Sequence, residues 1–240
     1  VSTLESIPTM ESRLNNAYPQ SDLLVAERNR VLKNTYWLLG LSMLPTVMGA
    51  IIGVQMNFAA LFASSPLMAF LLFFAGAFGF MWAIGRNRDS SAGVVWLLLF
   101  TLFMGLMLSV SLSAALHFRN GGTLIAMAAG GTGLIFFSLA TVATVTKKDF
   151  SFMGKFLFIG LILLLVASLA NAFFAIPALA LTISAIAVLL FSAYILYDVS
   201  NIVNGGETNY VMATLQIYLD IYNLFVNLLN LLMAFSGERD

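Results

Sequence analysis

The 240-residue chain is 60% apolar and only 9% charged, with a formal net charge of zero. Soluble domains carry about 25% charged residues, so water is not the main solvent, and no basic patch interleaved with aromatics supplies the footprint of a nucleic-acid partner. The absence of cysteine excludes disulfides, thiolate nucleophiles and thiolate metal sites, and the single histidine, His117, excludes a multi-histidine zinc centre.

The first segment is polar and contains Pro8 and Pro19. It does not resemble a cleavable signal peptide and reads as a cytoplasmic tail over residues 1–33, mobile through about residue 30, with residues 23–33 forming a short surface helix that leads into the membrane. Seven apolar stretches then reach the length of about 20 residues that a helical crossing needs: 34–55, 66–85, 92–117, 123–145, 152–175, 178–203 and 210–235. They predict an all-α membrane protein, a seven-transmembrane helix bundle over residues 34–235 with a short C-terminal tail at 236–240. The break at Ile176-Pro177 decides between seven spans and six, because a proline kinks a membrane helix without always ending it. Length favours seven, since the roughly 50 apolar residues of 152–203 are too many for one crossing.

Charge gives the orientation. With the tail inside, Arg13, Arg28, Arg30, Lys33, Arg86, Arg88, Lys147, Lys148 and Lys155 fall on the inner side and Arg119 and Arg239 on the outer. This positive-inside bias puts the N-terminus in the cytoplasm and the C-terminus outside. Gly130, Gly131 and Gly133 lie in an apolar run without a P-loop lysine, so they read as helix-packing positions, Ala126 and Gly130 being four residues apart.

Two carboxylates stand out inside the spans, Asp198 and Asp220. An ionised carboxylate near a helix centre costs about 2.5–3.5 kcal/mol on insertion scales, so such residues are rare unless paired or functional. Span six ends about five residues after Asp198, and span seven begins about ten before Asp220, so at ~1.5 Å per residue the two differ in depth by only several ångströms. In contact they would share one proton. A protonated pair latches spans six and seven together; its deprotonation separates them and leaves anionic oxygens of the kind Ca²⁺ prefers.

Gln216, Asp220, Asn223, Asn227 and Asn230 form a polar stripe along span seven, at spacings of four, three, four and three. Such a stripe faces protein or water, which makes the last helix central. Asn201, one turn from Asp198, and Asn171 on span five are candidates for the same network. Arg86 is a candidate counter-ion, although arginines at span ends commonly snorkel to headgroups. His117 reads as an interfacial residue and Glu207 as a solvated loop acid.

Enzymatic readings fare poorly. A rhomboid-like protease needs a membrane serine in a Gly-x-Ser-x context with a histidine at matching depth, a di-aspartyl protease carries glycine-rich flanks around its acids, and a retinal protein needs a lysine in its last span. None of these is found in the sequence, so the chain is expected not to be an enzyme.

The segments Tyr194-Ile-Leu-Tyr-Asp198 and Tyr218-Leu-Asp220-Ile-Tyr-Asn223-Leu-Phe, with Lys148-Asp-Phe-Ser-Phe152 as a weaker marker, resemble the Bax inhibitor-1 family, also called the transmembrane Bax inhibitor motif proteins. The resemblance covers residues 30–235, and the Gly205-Gly-Glu-Thr-Asn-Tyr210 turn is similar to its proteobacterial branch. It implies a seven-helix fold with a central last helix and a pH-sensitive calcium leak in a bacterial inner membrane, its paired aspartates matching Asp198 and Asp220. It also implies an arginine of the second helix engaging the pair, for which Arg86 is the candidate. No tightly bound cofactor is implied; calcium is the transported or transiently bound ion, and lipid, calcium and protons are the partners. Some proteobacterial relatives look instead like partners of a membrane-anchored AAA protease, which would place function on the cytoplasmic tail.

Overall fold

The computed structural model describes residues 20–237, and no strand occurs among them. The expectations for residues 1–19 and 238–240, including the charges Arg13 and Arg239, lie outside the described residues. The elements in chain order are α1 (Gln20–Gln55), α2 (Phe58–Ser64), α3 (Pro66–Asn87), α4 (Ser91–Leu116), α5 (Gly121–Thr146), a 3-10 turn (Ser151–Met153), α6 (Gly154–Phe174), α7 (Pro177–Val203) and α8 (Tyr210–Ser236). All but α2 are long and apolar enough to cross a membrane, which gives seven spans.

The break at Pro177 is real. Ala175 adopts left-handed φ 50°, its N–H bonds the Asn171 carbonyl, and Pro177 starts α7 at a first-turn position, where its missing N–H leaves no bond unmade. Asn171 is accounted for by this turn: its side-chain oxygen accepts the Ile176 N–H at 3.1 Å, so it caps α6 and does not join the aspartates. Two elements differ from the expectation. The surface helix expected at residues 23–33 is the first part of one continuous α1, because no breaker separates Lys33 from Asn34. The connection after the first span holds the short helix α2, entered through Asn57 in left-handed geometry.

The α1 start and the α3–α4, α5–α6 and α7–α8 connections share one end of the bundle. Arg28, Arg30, Lys33, Arg86, Arg88, Lys147, Lys148 and Lys155 all sit there, and Arg119 sits at the other; we call these the basic end and the opposite end. α8 is central: it packs against α1, α3, α4, α5 and α7, and along its length only Ala234 and Phe235 are exposed. α6 lies at the periphery, touching α7 and the 3-10 turn, with large apolar side chains such as Leu163 and Val166 exposed as expected of a lipid-facing helix.

The tightest seam joins α1 to α4. A Cβ on Gly49 would overlap the Leu102 carbonyl, and one on Gly105 would overlap the Thr46 carbonyl. Small residues here bring backbones together, as membrane helices require in the absence of a hydrophobic drive between them. Ala126 and Gly130, expected in such a seam, are both exposed, and a Cβ on Gly130 would meet nothing within 4 Å.

Candidate functional site: the carboxylate pair between α7 and α8

Asp198 and Asp220 meet at the α7–α8 seam, with their carboxyl groups in side-chain hydrogen-bonding contact. Their offset along the two helices is closed by helix geometry. Every Cα–Cβ bond tilts toward its own N-terminus, so in this antiparallel pair Asp198 leans toward the opposite end and Asp220 toward the basic end, each toward the other. Both are buried, at 7% and 6% exposure, and the Asp220 Oδ2 atom makes no hydrogen bond among the described residues.

The groups around the pair come mostly from α7 and its connection. Tyr194, one turn before Asp198, is electrostatically close to both acids, and Glu207 is close to Asp198. Glu207, expected as a solvated loop acid, is half-buried and accepts the Asn209 N–H at 2.8 Å. Arg86 is not brought to the site: it is exposed and lies 5.9 Å over the Trp82 ring, as an arginine stacked at a lipid interface does. Among the described residues the ion pair present is Arg88 to Asp89, at 3.6 Å.

The polar stripe is half-buried along α8, but much of it is spent on its own backbone. Asn223 donates to the Leu219 carbonyl and Asn227 to the Asn223 carbonyl, both at 2.8 Å. Gln216 is half-buried on the same helix. Asn230 lies at the opposite end, where it lines a cleft of about 780 Å³ with the exposed His117. Asn201 serves the turn after α7: its carbonyl accepts the Gly206 N–H at 2.8 Å, and its side chain packs against Gly206.

Sequence reasoning missed the groups that hold the basic end of this seam in place. The Ser200 hydroxyl, half a turn from Asp198, donates to the Lys148 carbonyl at 2.9 Å and accepts the Phe150 N–H at 3.1 Å. Asn204 donates to the same Lys148 carbonyl at 3.2 Å. The α5–α6 connection is thereby pinned to α7. Within it the Ser151 backbone N–H, and then its side chain, hold the exposed Asp149 carboxyl below its ordinary range. On the other side, Asn209 caps α8 by accepting the Val211 and Met212 N–H groups at 3.0 Å, and it donates to Asp89 at 2.8 Å. Sequence signals existed in the Asn two residues after the Glu207 turn acid, a helix-capping residue type, and in the Lys148-to-Phe152 segment; neither names its partner.

These features define a class: an integral helical membrane protein of seven spans, with two touching carboxyl groups buried beside its central last helix. The chain belongs to the Bax inhibitor-1 family, since the family model described as "Inhibitor of apoptosis-promoting Bax1" matches residues 28–237. An "uncharacterized membrane protein" of Vibrio cholerae is 40% identical over 206 residues, 86% of this chain and 90% of its own. The Escherichia coli protein named "Modulator of FtsH protease YccA" is 35% identical over 223 residues, 93% of this chain and 97% of its own. A Neisseria meningitidis relative is 38% identical over 213 residues, covering 88% and 93%.

Proposed function

We propose that the chain is a proton-controlled leak for calcium in a bacterial inner membrane, with the basic end in the cytoplasm and the Asp198–Asp220 pair as its latch. The observation that carries this reading is the contact of two buried carboxyl groups. A hydrogen bond between two carboxyl groups requires that one hold a proton. Losing it leaves two like charges together in a low-dielectric seam, whose repulsion drives α7 and α8 apart. The oxygens then exposed, the unpartnered Asp220 Oδ2 first among them, are hard anionic ligands. Calcium is cargo here. No group of three or more His, Cys, Asp or Glu side chains gathers among the described residues, so two carboxylates fall short of the 6–8 oxygens a resident Ca²⁺ takes and suit an ion in transit. Calcium flux in proteoliposomes across pH 6–8 tests the reading. The parent chain should leak more as pH rises, and Asp198→Asn and Asp220→Asn should each abolish the pH dependence. A flux that keeps its pH dependence in both variants overturns the latch.

A second reading is favoured by the YccA relative, which aligns along nearly its whole length. In it the chain is a non-enzymatic modulator that binds a membrane-anchored AAA protease. Absence of calcium flux in the parent, together with co-purification with such a protease and slower turnover of its membrane substrates, would favour this reading over the leak.

A further inference from the structure

A second cavity lies away from the aspartates. It is a cleft of about 1160 Å³ between α1 and α5, floored by α8 and α4. This exceeds the roughly 300–1,000 Å³ of ordinary small-molecule pockets. α1 and α5 stand apart along most of their length, so the cleft opens sideways at membrane depth. Its lining on α5 runs from Ile125 to Val145, about 30 Å at 1.5 Å per residue and equal to the thickness of the hydrocarbon core. Its walls are almost wholly apolar, and in a bilayer such a slot fills with acyl chain, not water.

At the basic end of the slot stand Tyr36, Thr141 and Thr144, with Thr46, Thr132 and Tyr218 deeper in. The Tyr36 hydroxyl is buried there without a hydrogen bond among the described residues: the Thr144 hydroxyl beside it donates to the Ala140 carbonyl at 2.7 Å and keeps its lone pairs, but it is not placed to accept the Tyr36 O–H. An unmet hydroxyl in lipid calls for an acceptor. Deeper in, the Thr132 hydroxyl is also unpartnered, but it can turn onto the carbonyl four residues back, so Tyr36 carries the recognition. Beyond the mouth, Lys33 lies one turn before Tyr36 on α1, and Lys147, three residues after Thr144, is the left-handed residue (φ 52°) that ends α5. Helical spacing makes Lys33 the continuation of the cleft-lining stripe on α1, and Lys147 follows directly on the last turn of α5. Both are exposed, and neither is in an ion pair among the described residues.

We infer that the α1–α5 cleft is a seat for an anionic phospholipid of the leaflet at the basic end. An acyl chain lies along the slot, the ester carbonyl accepts the Tyr36 O–H, and the phosphate sits between Lys33 and Lys147. The apolar length, the unmet donor and the two lysines beyond it occur in the order in which a phospholipid presents chain, ester and phosphate.

Two glycines allow a clean test, since a Cβ added at Gly40 or Gly133, both in the cleft wall, would meet nothing within 4 Å. Larger side chains there fill the slot without displacing the fold. Gly79 on α3 is equally open and is not part of the cleft, which makes it the control. Native mass spectrometry of the full chain, released from mild detergent with dioleoyl phosphatidylglycerol, dioleoyl phosphatidylcholine or oleic acid added, reads occupancy directly. The expected result is a one-to-one phosphatidylglycerol adduct, reduced about tenfold, equivalent to ~1.4 kcal/mol, by Gly40→Leu and Gly133→Leu and unchanged by Gly79→Leu. Lys33→Gln with Lys147→Gln should erase the preference for phosphatidylglycerol over phosphatidylcholine. If the leucine variants do not elute as folded protein, Tyr36→Phe replaces them and should weaken both phospholipid adducts alike. Equal adducts in the Gly133→Leu and Gly79→Leu chains, an undiminished adduct in Tyr36→Phe, or oleate bound as well as phosphatidylglycerol would each overturn the assignment.

Discussion

A buried hydroxyl in this bundle is an obligation, and Tyr218 shows how one is met. The Thr46 hydroxyl donates to the Ser42 carbonyl at 2.9 Å, which leaves its lone pairs to accept the Tyr218 O–H, also at 2.9 Å. Tyr218 is 1% exposed and its ring meets Phe100 edge-on, so this single bond ties α8 to α1 in the middle of the packing. Tyr218→Phe keeps the ring and leaves Thr46 its donor bond. It should therefore cost about 0.5–1.5 kcal/mol, read from unfolding in mixed micelles with increasing dodecyl sulfate; a loss above ~3 kcal/mol would mean that the hydroxyl holds more than Thr46 and the long 3.5 Å contact to the Thr101 carbonyl. Residue type and spacing made Asp198 and Asp220 legible, because an acid within an apolar span is conspicuous and antiparallel arithmetic gives its depth. Direction was less legible. Arg86, Asn171 and Asn201 sit at suitable depths or distances in the sequence, yet they turn to Trp82, the Ile176 N–H and Gly206. Which neighbour a side chain faces depends on the rotation of each helix, and a single sequence does not encode that in its hydropathy.

Elements behave likewise. Their existence follows from run length, and the seven spans lie close to where the apolar runs put them because a helix is the only way for one chain segment to satisfy its backbone in lipid. Which elements touch closely is another matter. Gly130 has the spacing of a packing residue relative to Ala126 but faces open space, whereas Gly49 and Gly105, seated in unremarkable apolar runs, bring α1 and α4 to backbone contact. The difference yields a paired prediction. Gly105→Ala forces the Cβ against the Thr46 carbonyl, and backbone cannot swing aside as a side chain does, so the change should destabilise the fold by about 1–3 kcal/mol. Gly130→Ala should stay within about 0.5 kcal/mol of the parent. Similar stabilities for the two variants, measured in the same detergent titration, would show that the α1–α4 seam relaxes freely. The α5–α6 connection was half legible in this sense: Lys148 to Phe152 stood out as a marker, but its purpose, pinning itself to Ser200 and Asn204, needs the fold.

For the whole molecule, the position of α8 matters most. It touches five other helices, and one face carries Asp220 against α7 while another carries Tyr218 against α1 and α4. The last span therefore couples the carboxylate seam to the tightly packed α1–α4 side, and any parting of α7 from α8 must occur against a helix held firmly elsewhere. Motion is then expected on the α7 side, where α6 is peripheral and lipid yields. The chain has no cysteine, so this can be tested without background. With Asp198→Cys and Asp220→Cys together, side chains now in contact should oxidise to a disulfide under mild conditions, since bridging requires Cα atoms only about 4.4–6.8 Å apart. Failure to cross-link even with a short bifunctional thiol reagent, which spans a Cα separation beyond disulfide range, would refute the contact itself. In the reduced form the seam holds two neutral thiols in place of the carboxyl pair, and calcium flux should be independent of pH across 6–8; oxidation should then lower that flux at every pH, and a reductant should restore it. Equal flux in the oxidised and reduced forms would mean that ions do not pass where α7 and α8 part, and would leave the pair as a structural clasp.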